Sequence, residues 1–219
     1  MDVSFSENLK SSNINTWNKI LNHRFIVEVA EDILPVSKFV FYLNQDKLFL
    51  RTFCDLLVTA SIVAHNTEAK VLIENLIEST IRYEMPLQDE LLHELNGENK
   101  LSAMFPIHES TSNYTTFLTE VSLSKDLDLI ISAMAPCPWT YYEISNSLMR
   151  RNIKSNTFKK WLRFYSSDES RVQLYQIKKL LDDMGQKVDN EKKSQMRYYF
   201  SISCDYEMEF WNMVYSYSE

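Results

Sequence analysis

The segment 36-VSKFVFYLNQDKLFLRTFCDLL-57 decides the fold of this chain. Its large apolar residues recur every three or four positions, which is the spacing of one helix face. Pro35 precedes the segment and suits the first turn of a helix, where its missing N–H costs no hydrogen bond. We therefore predict a helix over 36–64, roughly 43 Å long at about 1.5 Å per residue. Its apolar stripe is Phe39, Tyr42, Leu43, Phe49, Leu50, Phe53 and Leu57, and its opposite face carries Asn44, Lys47, Arg51 and Asp55.

The rest of the chain also favours helices, because it contains only 2 glycines among 219 residues. Hairpins, bulges and phosphate-binding loops need positive φ, which glycine adopts at the lowest cost. The sequence therefore predicts an all-α fold, a single multi-helix bundle that forms one domain over residues 1–219. Further helices are expected near residues 6–21, 23–31, 67–96 (perturbed at Pro86), 111–122, 125–135, 138–150, 156–165, 168–184 and 189–216.

The charge balance argues against nucleic-acid and membrane partners. The chain carries 23 basic and 30 acidic residues, a net charge of −7, so polyanions repel it. We interpret the basic residues between Arg150 and Arg163 as a loop and the solvated face of a helix. The first residues, 1-MDVSFSE-7, show no secretory signal, and no apolar run is long enough for a membrane span. A cytoplasmic location is therefore expected.

The sequence predicts neither a metal site nor a cofactor. The three cysteines, Cys54, Cys137 and Cys204, are widely spaced, and the four histidines form no metal-ligand motif. Free thiols in a reducing compartment are the expected state of these cysteines.

Two acidic residues fall on apolar helix faces. Asp46 lies on the stripe of the 36–64 helix, and Glu207 lies on the stripe of the last helix, whereas Glu209 is on its polar face. A buried carboxylate needs a partner or a ligand, or else it keeps its proton. The pattern fits either a polar pocket inside the bundle or a structural network of acids and tyrosines.

The tripeptide Pro136-Cys137-Pro138 interrupts one helix and suits the start of the next. Cys137 is expected at or near the N-cap of the new helix. Unpaired N–H groups and a positive potential at that end lower the pKa of a thiol. Cys137 is therefore a candidate nucleophile, and the alternative is an inert buried cysteine.

Five segments, taken together, resemble motifs of the TenA (thiaminase II) family. They occur in family order, cover nearly the whole chain and are specific only as a set. Because it has Cys137, the chain resembles the branch of the family in which a cysteine is the nucleophile. The segments are 41-FYLNQD-46 with 49-FL-50, 113-NYTTFL-118, 135-APCPWTYYEI-144, 158-FKKWLRFYSS-167 and 207-EMEFW-211.

The resemblance implies the haem-oxygenase-like helical fold, a homotetramer, and hydrolysis of pyrimidines in thiamine salvage. The implied substrates are 4-amino-5-aminomethyl-2-methylpyrimidine and, in some members, thiamine. Cys137 would add to the pyrimidine ring, Glu207 would transfer protons, and Asp46 would bind the amino edge of the ring. The other implied substrate contacts are the hydroxyl groups of Tyr114, Tyr141 and Tyr165 and the rings of Phe49 and Phe210.

The chain departs from the family pattern where glycines are usual. Asp32 replaces one glycine in 31-EDILP-35, and Ser145 replaces another, which leaves helix spacing and pocket volume open. Two other functions also stay open at this level. One is haem or tetrapyrrole binding on the same fold, with His23 as axial ligand. The other is a non-catalytic regulatory homologue that acts through protein contacts.

Overall fold

The computed structural model describes residues 3–96 and 105–218, apart from the side chain of Asn96. These residues form twelve α-helices, one π-helical turn and no strand, which confirms the predicted all-α fold. The π turn, Thr80–Glu84, joins α5 to α6. The helices are α1 (Phe5–Ser12), α2 (Ile14–Leu21), α3 (Arg24–Ala30), α4 (Val36–Val63), α5 (Thr67–Ser79), α6 (Met85–Asn96), α7 (Glu109–Leu123), α8 (Leu127–Met134), α9 (Pro136–Leu148), α10 (Asn156–Tyr165), α11 (Asp168–Lys187) and α12 (Asn190–Ser216).

Polar side chains set the starts of the last three helices. Ser155 Oγ accepts a hydrogen bond from the N–H of the third residue of α10, and Ser167 does the same for α11. Asp189 accepts from the N–H of Lys192 in the first turn of α12. Each cap satisfies an N–H that has no partner inside its helix. These caps explain why the three helices begin within one residue of the predicted positions.

The continuous helix predicted over 6–21 is wrong, because Asn13 divides it. The backbone of Asn13 has φ −110° and ψ 17°, outside the helical range, and its Nδ2 donates to the carbonyl of Leu9 over 2.9 Å. An asparagine that bonds its own backbone competes with the helical hydrogen bonds. Two short helices, α1 and α2, replace the single predicted one.

The helix predicted over 67–96 is interrupted by the π turn. Here the N–H of Met85 donates to the carbonyl of Thr80, five residues back instead of four. Pro86 follows directly and has no N–H for the carbonyl of Arg82, so the regular α pattern cannot continue through this turn. The perturbation expected at Pro86 is therefore present, and it takes the form of an extra residue in the turn.

The two longest helices, α4 and α12, form the centre of the bundle. Trp211 of α12 stacks on Tyr42 of α4, with ring centroids 5.6 Å apart. The predicted stripe of α4 is buried along its whole length. Asp46 and Glu207 therefore face the interior from two neighbouring helices, as their positions on the stripes predict. Within residues 3–96 and 105–218, no helix combines the length and the apolar character needed to cross a bilayer.

Candidate active site

A cavity opens among α4, α9, α10 and the π turn. It contains about 610 Å³ of empty space, which includes the solvent at its mouth. Four of the predicted site residues line it, namely Asp46, Cys137, Tyr141 and Tyr165. Of the described residues that line it, none is basic, whereas Asp46 and Glu84 are acidic. The cavity therefore favours neutral or cationic ligands over anions.

Asp46 is 3% exposed and is held by two donors. Tyr42 Oη donates to Asp46 Oδ2 over 3.3 Å, and Gln88 Nε2 donates to the same oxygen. Burial raises the pKa of the Asp46 carboxyl well above its usual range, and the nearby Glu84 and Glu207 carboxylates raise it further. Both interpretations of the sequence hold here, since Asp46 belongs to a polar network and also faces the cavity.

Cys137 is the second residue of α9, one position inside the helix and not at its N-cap. Cys137 as a whole residue is partly exposed, whereas the other two cysteines are buried. The expected lowering of the thiol pKa is wrong. Burial raises the pKa of Cys137, and the carboxyl groups of Glu207, Glu84 and Asp46 raise it further, which outweighs the helix N-terminus. The thiol is therefore protonated at rest, and a base must remove its proton before the sulfur can attack.

Glu207 is the candidate base for this thiol. It is 2% exposed, and its Oε1 accepts a 2.8 Å hydrogen bond from Tyr114 Oη of α7. Burial raises the pKa of Glu207 from 4.5 to about 7, against the lowering effect of hydrogen bonds from Tyr114 and Cys137. A carboxyl group with a pKa near neutrality can both take up and return a proton at physiological pH.

The predicted aromatic contacts are divided between the cavity wall and a layer behind it. Tyr141 and Tyr165 line the wall, with ring centroids 4.9 Å apart. Phe49 and Phe210 do not line the cavity. Phe49 packs against Tyr114 at 4.7 Å between centroids and lies 6.3 Å from Phe210. In this conformation the two phenylalanines support the polar groups from behind.

Two polar residues of the site escaped the sequence analysis. Glu84 ends the π turn and lines the cavity, where its Oε1 accepts a 2.6 Å hydrogen bond from Tyr165 Oη. Gln88 donates to Asp46, and its own buried Oε1 has no partner among the described residues. Periodicity could not assign Glu84 to the interior, because a π turn breaks the 3.6-residue repeat. The one local signal of this turn in the sequence was Pro86, which predicts a perturbed helix at this point.

Comparison with known proteins places this arrangement in a family. The TENA/THI-4/PQQC family model matches residues 12–217. The chain belongs to this family. An aminopyrimidine aminohydrolase of Bacillus subtilis is 25% identical over 213 residues, which are 97% of this chain and 90% of that protein. Membership of the TenA family therefore extends over the residues that carry the cavity.

Solved structures confirm the expected haem-oxygenase-like fold. A TenA homologue from Pyrococcus furiosus superposes with a TM-score of 0.88 at 22% identity, covering 96% of this chain and 100% of that one. Haem oxygenase-1 from the cyanobacterium Synechocystis, solved in complex with haem, superposes with a TM-score of 0.63 at 10% identity. That superposition covers 96% of this chain and 92% of the haem oxygenase.

Asp32 stands where the TenA pattern has a glycine. Its φ of 61° lies in the left-handed region that glycine adopts readily and other residues rarely. Its carboxylate accepts hydrogen bonds from the N–H groups of Lys154 and Ser155, just before α10. The unusual backbone at Asp32 therefore forms a turn. It is not required for close packing between helices. Ser145, at the second altered position, is fully buried, so a small side chain fits there.

His23 lies outside the cavity, at the junction of α2 and α3. Its Nδ1 accepts a 3.2 Å hydrogen bond from the N–H of Phe25, and its Nε2 lies 3.3 Å from Asn212 Oδ1. Both ring nitrogens are engaged, and His23 does not line the cavity that contains Cys137. The geometry thus favours a helix-junction role for His23 over that of a haem ligand.

Proposed function

We propose that the chain hydrolyses 4-amino-5-aminomethyl-2-methylpyrimidine to the hydroxymethylpyrimidine and ammonia, in thiamine salvage. One observation carries the proposal. Asp46 of α4 and Cys137 of α9 line the same cavity, and the Glu207 carboxyl of α12 is close enough to the thiol to shift its pKa. The name of the Bacillus subtilis relative, aminopyrimidine aminohydrolase, supports the same reaction.

Asp46 recognises the ring in this proposal. In this proposal the carboxyl group carries a proton, a state that its raised pKa favours. A neutral carboxyl can donate to a ring nitrogen and accept from the adjacent 4-amino group, which together form one edge of a 4-aminopyrimidine. Tyr42 and Gln88 fix the orientation of the carboxyl through Oδ2. The hydroxyl groups of Tyr141 and Tyr165 supply further polar contacts from the cavity wall.

Cys137 and Glu207 act as a nucleophile and base. The sulfur adds to the ring carbon next to position 5 while the thiol proton passes to Glu207. The displaced electron pair moves to the ring nitrogen, which takes a proton from Asp46. When this proton returns to Asp46, the electron pair moves back and breaks the bond between the exocyclic carbon and the amine.

Water completes the reaction. It adds to the exocyclic methylene group that is left when the protonated amine departs as ammonia, and the proton that water releases converts this ammonia to ammonium. The ring then regains its double bond as the carbon–sulfur bond breaks, and the departing sulfur recovers its proton from Glu207. Glu207 thus serves first as a base and then as an acid, a cycle that a pKa of about 7 permits near neutrality.

Ammonia release from the aminomethylpyrimidine tests the proposal. The purified chain should turn over, and Cys137→Ser should lose at least about 10³-fold in kcat, because a hydroxyl is a far weaker nucleophile than a thiol. Cys54→Ala is the matched control, since Cys54 lies outside the cavity lining. Full activity in Cys137→Ser would refute the mechanism. No turnover of the aminomethylpyrimidine or of thiamine would favour the non-catalytic homologue.

Several expectations from the sequence and from the family resemblance stay predictions. They are the homotetramer, the cytoplasmic location, the single domain over 1–219 and the cleavage of thiamine itself. The roles of Phe49, Phe210 and Tyr114 as substrate contacts belong with them.

A further inference from the structure

Glu84 is a carboxyl group to which the proposed reaction assigns no task. It closes the π turn, and the same turn contributes Thr80 to the cavity wall. Ser79, just before the turn, lines the same wall. Single π turns inside helices occur frequently at functional sites, because the extra residue redirects side chains. Here the turn directs Glu84 towards the cavity.

The contacts of Glu84 orient its carboxyl group without neutralising it. Tyr165 Oη donates a hydrogen bond to Glu84 Oε1 over 2.6 Å. Burial raises the pKa of Glu84 from 4.5 to about 7, so much of it is ionised at neutral pH. Within the described chain no basic residue lines the cavity to balance this charge. An enclosed carboxylate without a counter-ion favours a cationic ligand.

We infer that Glu84 binds the cationic amino group on the exocyclic carbon of the substrate and then accepts a proton from the water that replaces this amine. The inference rests on the proposed function. There Asp46 binds the ring edge and Glu207 takes the thiol proton, which leaves Glu84 as the carboxyl group for the exocyclic arm. The three acids of the site thus have three different partners.

The proton balance of the water step follows from this assignment. The ammonium group of the substrate leaves as neutral ammonia when the carbon–nitrogen bond breaks with its electron pair on nitrogen. Water then forms a bond to the exocyclic carbon, and its released proton passes to the Glu84 carboxylate. Ammonia takes this proton and departs as ammonium, which restores the carboxylate. Tyr165 holds the carboxyl in place throughout.

A binding experiment isolates the first half of this role. Cys137→Ser provides a chain that binds pyrimidines without turnover. Isothermal titration at pH 7.5 compares the aminomethyl and hydroxymethyl pyrimidines, which differ only in the exocyclic arm. We expect Cys137→Ser to bind the aminomethyl compound at least about tenfold more tightly. Adding Glu84→Gln should abolish this preference while changing the affinity for the hydroxymethyl compound less than about threefold.

Controls separate charge from folding. Glu78→Gln removes an exposed acid that pairs with Arg82, and it should leave the preference intact. Glu84→Asp keeps the charge and should keep part of the preference. In Cys137→Ser alone, lowering the pH from 7.5 to 5.5 should weaken the preference as Glu84 is protonated, without any change at position 84.

The second half of the role is tested by turnover. With Cys137 intact, Glu84→Gln should lower kcat for ammonia release about 10²-fold, the usual size of a general-base contribution. If Glu84→Gln leaves the preference of Cys137→Ser for the aminomethyl compound unchanged, the inference is overturned and the proposed function still stands. Failure of Cys137→Ser to bind either pyrimidine would overturn both.

Discussion

The Tyr114 hydroxyl donates a 2.8 Å hydrogen bond to Glu207 Oε1 and lies 2.8 Å from Ser203 Oγ. Ser203 Oγ in turn reaches the carbonyl of Ala133 at 2.6 Å. When Glu207 is ionised, Tyr114 donates to it. When Glu207 is protonated, Tyr114 can accept from it and donate to Ser203, which donates to Ala133. The chain of hydroxyls therefore satisfies both states of the Glu207 carboxyl group, which exchanges protons with Cys137 in the proposed mechanism.

Removing the Tyr114 hydroxyl should shift the pH dependence of catalysis. In Tyr114→Phe the ionised form of Glu207 loses a hydrogen bond, which raises the Glu207 pKa and moves the acidic limb of the kcat profile upward. We expect kcat at pH 7 to fall about tenfold or more. Tyr206→Phe is the matched control, because the Tyr206 ring stacks on Tyr114 at 5.1 Å. Identical profiles for the two variants would contradict the role of Tyr114.

Alkylation should show that Cys137 is a thiol at neutral pH. Because burial and three carboxyl groups raise its pKa, its reaction with iodoacetamide should be slow at pH 7 and increase steeply above about pH 9. Peptide mass spectrometry of the native chain measures the rate at each cysteine. The buried Cys54, whose pKa burial raises to about 11, serves as the internal reference. A rate that levels off below pH 8 would show that Cys137 is a stable thiolate.

The stability of the fold should fall as the pH rises from about 4.5 to about 7. The folded-state pKa of Glu207 is about 7 against 4.5 for the free group, so the folded chain binds this proton more tightly. The stabilisation is fully present below pH 4.5 and is lost as the pH rises through 7. For one group the loss is on the order of 3 kcal/mol.

Urea unfolding at pH 5 and pH 8 measures this effect. Glu207→Gln carries no titratable proton, so its free energy of unfolding should fall less between the two pH values than that of the unmodified chain. Glu209→Gln removes an exposed acid from the same helix and should follow the unmodified chain. If both variants behave alike, the proton on Glu207 does not stabilise the fold.

Substitution of Asp32 should separate backbone strain from side-chain bonding. Asp32→Ala keeps the positive φ and loses the bonds to Lys154 and Ser155, and it should cost about 2 kcal/mol of unfolding free energy. Asp32→Gly loses the same bonds but relieves the strain, so it should cost less. Lys125→Gly, at the other positive φ of 53°, should stabilise the chain. An alanine variant as stable as the aspartate would show that these bonds contribute nothing.

Helical periodicity was sufficient to predict that Asp46 and Glu207 face inward, because both lie in regular helices with clear apolar stripes. The two prolines likewise identified Cys137 as a special position. The pKa of its thiol could not be predicted, because three carboxyl groups from distant parts of the chain determine it. Local sequence shows the helix end and does not show what the fold brings next to it.

Glu84 was missed for a different reason. It lies in the π turn, where the backbone departs from the regular helical repeat. At such positions the spacing of apolar residues no longer reports which way a side chain points. Gln88 follows the π turn, so its contact with Asp46 was equally hidden.

The π turn also fixes the angular phase between two helices. One added residue rotates everything after it by about 100° relative to an uninterrupted α-helix. If the residues from Thr80 to Glu84 wound as a regular α-helix instead, α6 would be rotated by this angle. Gln88 would then turn away from Asp46, and the Asp46 carboxyl would lose a donor. The π hydrogen bond of this short segment therefore matters more to the cavity than its exposed side chains suggest.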